Sequence, residues 1–283
     1  MSVLNNLSPL VSVSWLEQHL SDPKLVVLDA SWFLPGSERN GENEWQEKRI
    51  PGARFFDFDK KIAHPDAALP HMLPDGHHFA REVEALGISN DSLVVVYDSQ
   101  GIFSSARVWW MFRAMGHHQV AVLDGGLPAW ERGGNQLEGG EVQPFEPGTF
   151  KADFQSQWVI DGDTLAEHLN KPDVQVLDAR PAARFYGTQP EPRQGVRSGH
   201  MPSAKSLPFG QLLKEGHFLP KEQLVQRFDA VSDADQQLIF SCGSGVTACI
   251  LALAAELAGR KQLCVYDGSW TEWGATYKYP LAQ

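Results

Sequence analysis

Cys242-Gly243-Ser244-Gly245-Val246-Thr247-Ala248 is the stretch of this sequence whose residue types and spacing point most directly to chemistry. The cysteine follows an apolar run, Leu238-Ile239-Phe240-Ser241, that reads as a buried strand. Beyond it a helical pattern begins at Val246 or Thr247 and runs to Ala258, with Gly259 in the position that closes a helix. Gly243 and Gly245 allow backbone conformations in which successive N–H groups converge on one point, and the helix start adds partial positive charge there. Both effects favour an anion at the sulfur, the form in which cysteine is a nucleophile. The same cradle suits the terminal sulfur of a persulfide, which is also anionic.

Cysteine phosphatases use a similar strand–loop–helix cradle, but they need an arginine after five intervening residues to grip phosphate. Ala248 stands at that position, which argues against phosphatase chemistry. Cys249 falls on the apolar helix and Cys264 in the run Leu263–Tyr266, so both are expected as core thiols. The pairs His77-His78 and His117-His118 have no neighbouring Cys, Asp or Glu at a metal-ligand spacing, and no nucleotide-binding glycine motif is present. No metal or organic cofactor is expected.

The elements that must position Cys242 occur twice. Val26-Val27-Leu28-Asp29-Ala30 returns as Val174-Gln175-Val176-Leu177-Asp178-Ala179, with the two aspartates 149 positions apart. Ile50-Pro51-Gly52-Ala53 returns as Met201-Pro202-Ser203-Ala204, and Leu93–Asp98 returns as the run ending in Cys242. Asp124-Gly125-Gly126-Leu127-Pro128-Ala129-Trp130 returns as Asp267-Gly268-Ser269-Trp270-Thr271-Glu272-Trp273. Four landmarks in one order indicate a duplicated domain. Short apolar runs alternating with helical patterns predict α/β domains, each a parallel sheet covered by helices on both faces, with ligands at the strand C-termini. The expected organisation is an N-terminal domain over 1–138, a Gly- and Pro-rich linker over 139–155, and a C-terminal domain over 156–283. Asp98 stands opposite Cys242, so the first copy is expected to be chemically inactive.

The 283 residues are 42% hydrophobic and 21% charged, enough for a packed core in each half. A formal charge of −11 argues against nucleic acid or an anionic membrane as partner. An anionic substrate then requires a local cluster of arginines. Three cysteines give no disulfide framework and fit a reducing compartment. The N-terminal sequence lacks the pattern of a secretory or transit signal and no apolar run is long enough to span a membrane, so a cytoplasmic protein is expected.

The duplicated layout, the Cys242 loop, Gly199-His200-Met201-Pro202 and the closing Asp267-Gly268-Ser269-Trp270 together resemble the rhodanese superfamily in its tandem form, over nearly the whole chain. Within it, thiosulfate-using members carry basic residues just after the cysteine. The 3-mercaptopyruvate sulfurtransferase branch carries Cys-Gly-Ser-Gly-Val-Thr-Ala, the sequence found here. The resemblance implies that sulfur passes from 3-mercaptopyruvate to Cys242, with release of pyruvate, and from the persulfide to a thiol such as thioredoxin or a small thiol, or to cyanide. It implies that Arg184 and Arg193 hold the donor's carboxylate and keto oxygen, with Arg197 close enough in sequence to share the task. It also implies a relay of Asp59, His71 and Ser244, to which the N-terminal domain would contribute; Asp57 rivals Asp59. Judged without the family, His71 could equally be a satisfied loop histidine and Ser244 a small residue that lets the loop close. Three other roles are weighed: a thiosulfate-using enzyme, disfavoured by uncharged Gly243 and Ser244; a persulfide carrier or redox-sensing module serving a partner protein; and a structural or regulatory role, which needs an unreactive Cys242 and is disfavoured by the intact loop and both arginines.

Overall fold

A computed structural model describes residues 7–142 and 144–283. Residues 1–6, within the expected N-terminal domain, and Gln143, within the expected linker, lie outside the described residues. The chain divides into two compact units. The first comprises residues up to Asp66, Leu73–Phe154 and Glu215–His217; the second comprises Ala67–Met72, Gln155–Lys214 and Phe218–Gln283.

In the first unit, β1 (Leu10–Val11), β2 (Leu25–Asp29), β3 (Arg54–Phe55), β4 (Leu93–Tyr97) and β5 (Val120–Leu123) form a parallel sheet in the order β1-β5-β4-β2-β3. In the second, β6 (Val159–Ile160), β7 (Val174–Asp178), β8 (Lys205–Ser206), β11 (Gln237–Ser241) and β12 (Leu263–Tyr266) form a parallel sheet in the order β6-β12-β11-β7-β8. The same connectivity in both units is the structural form of the sequence repeat. A two-stranded sheet of β9 (Leu213–Lys214) and β10 (His217–Phe218) completes the strands among the described residues.

The central strands are buried on both faces, which is why β4 reads as an unbroken apolar run. Val95 and Tyr97 of β4 pack with Leu16 of α1 (Val13–His19) and with Leu127 and Trp130 of α5 (Gly126–Arg132). Val94 and Val96 point to the opposite face, as the two-residue period requires. The helix α4 (Ser105–Ala114) packs against β4 and β5, as α9 (Ala248–Leu257) packs against β11 and β12. Helix starts follow their capping side chains: Ser12 accepts from Trp15 N–H at α1, and Asp161 accepts from Thr164 N–H at α6 (Gly162–His168). Both helices occupy the same place in their respective repeats.

The segment expected as a linker is laid along the first unit as far as Phe154. Glu138 and Arg49 form a β-bridge, Gly148 N–H donates to Glu84 O, and Phe150 is 4% exposed. A Cβ at Gly139 would meet Glu47 O at 2.3 Å and one at Gly148 would meet Ile88 O at 2.1 Å. These glycines therefore serve close backbone approach rather than a free tether. No helix among the described residues is long and apolar enough to cross a membrane.

Candidate active site

The second unit builds its site at the C-terminal end of β11. After β7 the chain leaves toward β8, and after β11 it leaves toward β12 on the opposite side. The two departures open a crevice between the ends of β7 and β11, the usual ligand position in a parallel sheet. Cys242 is the first residue beyond β11 and is 2% exposed. Its N–H donates to Ser269 Oγ at 3.1 Å, and Ser269 O–H donates to Tyr266 O at 2.8 Å. Ser269 has a left-handed backbone (φ 48°), an uncommon conformation that places its hydroxyl against the Cys242 amide.

The loop then turns through Gly243, Ser244, Gly245 (φ 80°), Val246 and Thr247 into α9, which starts at Ala248. Trp270 N–H donates to Cys242 O at 2.9 Å, and Thr271 N–H donates to Gly243 O at 2.8 Å. Thr271 O–H donates to the same carbonyl, while Cys249 Sγ–H donates to Gly245 O at 3.2 Å. The loop is thus pinned from outside by the segment after β12 and from below by α9. Burial pushes the Cys264 thiol up to about 12, leaving it protonated at neutral pH.

The first unit shows what this kind of cradle holds. There Asp98 is 0% exposed, and its Oδ2 accepts N–H bonds from Phe103 at 2.9 Å and from Ser104 and Ser105 at 3.0 Å. Its Oδ1 accepts from Gln100 N–H at 2.9 Å. The loop and the start of α4 together bind a carboxylate supplied by the chain itself. The helices α4 and α9 end alike, at Gly116 (φ 82°) and Gly259 (φ 89°). Counting back from these shared ends puts the loop after Cys242 one residue shorter than the loop after Asp98. The residue-by-residue pairing of the two loops therefore slips by one, and Val246, Thr247 and Ala248 take the places of Phe103, Ser104 and Ser105.

His71 belongs to the short segment Ala67–Met72 that clusters with the second unit. It is 3% exposed with φ 49°, and its Nε2 lies 3.1 Å from Ser244 Oγ, within hydrogen-bonding distance. His71 is thus buried in a left-handed backbone conformation and reaches the serine of the Cys242 loop. Asp59 is half-buried in the first unit, on the loop after β3. Asp57 accepts from Asp59 N–H at 3.2 Å and Lys60 N–H at 3.0 Å, so its carboxylate is committed to the turn.

The arginines divide by what they touch. Arg184 sits on α7 (Ala182–Phe185), and a Cβ at Gly243 would stand 3.4 Å from its Nη2. Its Nε donates to Glu191 Oε1 at 3.3 Å and its Nη2 to Glu191 Oε2. Arg193 Nη1 donates to Thr271 Oγ1 at 3.0 Å, which ties it to the Cys242 loop through Gly243 O. Arg197 does not share this arrangement: it donates to the carbonyls of Trp273, Gly274, Thr276 and Tyr279 and so anchors the C-terminal segment.

Two residues that the sequence reading left without a role complete the site. Arg180 is 2% exposed; it donates to both oxygens of Asp178, to Glu191 and to Gly199 O, and stacks on Trp270. Glu191 joins Arg180 to Arg184 with its side chain 3% exposed. The available signal was an acid amid three arginines in Arg180–Arg193. In the first repeat Ser31 stands where Arg180 stands in the second. Without that cation, burial pushes the Asp29 carboxyl up to about 6. Among the described residues, no three His, Cys, Asp or Glu groups converge as a metal site.

Comparison with known proteins bears on the family and the fold. The profile of the rhodanese-like domain matches residues 12–132 and again 161–276. A relative from Arabidopsis thaliana, thiosulfate/3-mercaptopyruvate sulfurtransferase 1, mitochondrial, is 44% identical over 99% of this chain and 79% of its own. The 3-mercaptopyruvate sulfurtransferase of Rattus norvegicus is 43% identical over 93% of this chain and 91% of its own. The crystal structure of SseA from Escherichia coli, one of the 3-mercaptopyruvate sulfotransferases, superposes with a TM-score of 0.85 at 36% identity, covering 93% of this chain and 99% of that one. With a parallel α/β unit built twice and the cysteine cradle present in the second copy alone, the chain belongs to the rhodanese-like domain family.

Proposed function

We propose that this protein is a sulfurtransferase that takes sulfur from 3-mercaptopyruvate, carries it as a Cys242 persulfide, releases pyruvate and passes the sulfur to a thiol or to cyanide. The supporting observation is the Cys242 loop with the Arg184 guanidinium lying against Gly243. An anion-binding cradle and a carboxylate-binding cation then flank one sulfur nucleophile.

Arg184 and Arg193 bind the donor carboxylate and keto oxygen, leaving its sulfur toward Cys242. The Cys242 thiolate attacks that sulfur. A new S–S bond forms as the donor's C–S bond breaks, and the electron pair passes into the enolate of pyruvate. An arginine facing the keto oxygen stabilises the charge that develops there, and protonation at carbon gives pyruvate. Ser244, with His71 Nε2 as its acceptor, takes the donor's thiol proton. Asp59 is proposed as the relay's acid on the resemblance alone.

The persulfide is a covalent intermediate in a double-displacement scheme. The loop amides that match those around Asp98 hold its terminal sulfur. An acceptor thiolate, of thioredoxin or a small thiol, attacks that sulfur and restores Cys242; cyanide leaves as thiocyanate. A cytoplasmic setting is part of this proposal, because the chemistry needs reduced Cys242.

A thiosulfate-using enzyme is the second reading, since the Arabidopsis relative is named for both donors. A basic side chain at position 243 would point a cation toward the Arg184 guanidinium, only 3.4 Å from its own Cβ. The experiment compares kcat/KM for the two donors with cyanide as acceptor, following pyruvate and thiocyanate, beside Cys242→Ser. The expected result is a preference for mercaptopyruvate of at least about a hundredfold, abolished in the serine variant. A preference for thiosulfate would reject the donor. Turnover with neither donor would make the protein a persulfide carrier.

A further inference from the structure

We propose that Thr271 is a positioning residue of the Cys242 cradle: it holds Gly243 O from behind and so aims the Ser244 N–H at the sulfur. This rests on the reading of Cys242 as the sulfur nucleophile and deepens it.

Thr271 is the third residue of α10 (Ser269–Trp273), and the N–H groups of a helix's first turn have no partner inside the helix. Two of them go to the loop here: Trp270 N–H donates to Cys242 O at 2.9 Å and Thr271 N–H to Gly243 O at 2.8 Å. The Thr271 hydroxyl donates to Gly243 O as well. Its proton is directed there because Arg193 Nη1, which can only donate, takes a lone pair of the same oxygen at 3.0 Å. In a planar trans peptide the C=O and the following N–H point in opposite directions. Fixing Gly243 O against α10 therefore turns the Ser244 N–H away from α10 and into the loop. Each hydrogen bond the carbonyl accepts also polarises its peptide and strengthens that N–H as a donor.

The first copy shows where such an amide points. Gln100 lies two residues after Asp98, as Ser244 lies two after Cys242, and its N–H donates to Asp98 Oδ1 at 2.9 Å. Leu127 N–H holds Asp98 O as Trp270 N–H holds Cys242 O. The next position differs between the copies. Pro128 is the third residue of α5, where Thr271 stands in α10, and it has neither an N–H nor a hydroxyl to give to Ser99 O. Cys249, whose thiol donates to Gly245 O, likewise stands where the first copy has Ala106. These donors behind the loop thus accompany the cysteine. A carboxyl group is ordinarily ionised at neutral pH, whereas a thiol is a weaker acid and gains more from amides aimed at its anion.

The experiment follows alkylation of Cys242 by uncharged iodoacetamide over a pH series, read on the Cys242 peptide by mass spectrometry. It compares wild type, Thr271→Ser, Thr271→Val and Thr271→Pro, with urea unfolding as the check that each is folded. Serine keeps both donors, valine loses the hydroxyl, and proline, the residue of the first copy, loses both. At about pH 6 the rate should fall about threefold for valine and about tenfold or more for proline, with serine restoring most of the loss. The deficits should close at high pH, where the thiol ionises in every variant; Arg184 and His71, the other titratable groups at the loop, are the same in all four. Deficits of one size at every pH would report altered access to the thiol and overturn the proposal, as would valine and proline variants that match the wild type. If the proline variant does not fold, the valine and serine variants decide by the same criteria. A wild type whose rate depends on pH as in the urea-unfolded chain would reject the cradle itself, and the proposal with it. A wild type that differs from the unfolded chain, with variants that differ from it equally, would overturn the proposal alone.

Discussion

Replacing Asp98 by alanine removes the anion from the first unit's cradle and tests whether such a loop requires one. Asp98 is fully buried and accepts four backbone N–H groups at 2.9–3.0 Å, three of them through one oxygen. A hydrogen bond to a charged group is worth about 1.5–3 kcal/mol. Four would exceed about 6 kcal/mol if they were independent. They share one carboxylate, and water can enter the vacated space, so the expected loss is about 3–5 kcal/mol, the range found when one partner of a buried charged interaction is removed. The assay is urea unfolding of Asp98→Ala beside Asp98→Asn. The asparagine variant should lose less, since its one oxygen still faces the three amides at the start of α4. Formate occupies about the volume of the deleted carboxylate and should selectively restore the alanine variant. Saturation at a hundred times Kd would return about 2.7 kcal/mol. A loss below about 1 kcal/mol, with formate acting equally on variant and wild type, would refute the cradle as an anion site. It would also remove the physical basis for a persulfide held by the matching loop after Cys242.

Two further outcomes test the electrostatics and the relay. Burial raises the Asp29 carboxyl from its ordinary value of 3.8 to about 6 in the folded state, so the folded protein binds more protons than the unfolded one between those values. Stability should therefore fall as pH rises through about 4 to 6. Asp29→Asn should be stabilised relative to wild type by up to about 3 kcal/mol at pH 7.5 and by little at pH 4, measured by urea unfolding. An unchanged difference between the two pH values would reject that shift. His71→Asn keeps a residue that tolerates the left-handed backbone at φ 49° but loses the partner of Ser244 Oγ. It should lower kcat with mercaptopyruvate about tenfold to a hundredfold. It should leave sulfur transfer from preformed persulfide to cyanide unchanged, because that step moves no donor thiol proton. Equal slowing of both half-reactions would make His71 a loop support instead.

Several parts of the site were legible because their signals are local. The alternation of apolar runs with helical patterns, the paired landmarks and the glycines beside Cys242 follow from backbone preference and burial within a few residues. The strand Leu263–Tyr266, the apolar helix carrying Cys249 and the C′ position of Gly259 lie in the structure where these patterns put them. The start of α9 at Ala248, one or two residues later than the pattern suggested, is of the size by which helix ends ordinarily shift.

By itself, then, the sequence determined the duplicated α/β architecture and which copy carries a cysteine at a strand end. Tertiary structure alone decided which partner each charged group meets. His71 and Ser244 are 173 residues apart and meet because Ala67–Met72 packs with the second unit. Arg197 lies four residues from Arg193, yet its donors go to carbonyls of the C-terminal segment, while Arg193 turns to Thr271. Glu191 and Arg180 gain their roles from an ion-paired chain whose order depends on how the loop after β7 folds back. The physical reason is one of range. Patterning fixes backbone conformation over a few residues, whereas a buried charge must take whichever counter-charge the packing of distant segments brings to it.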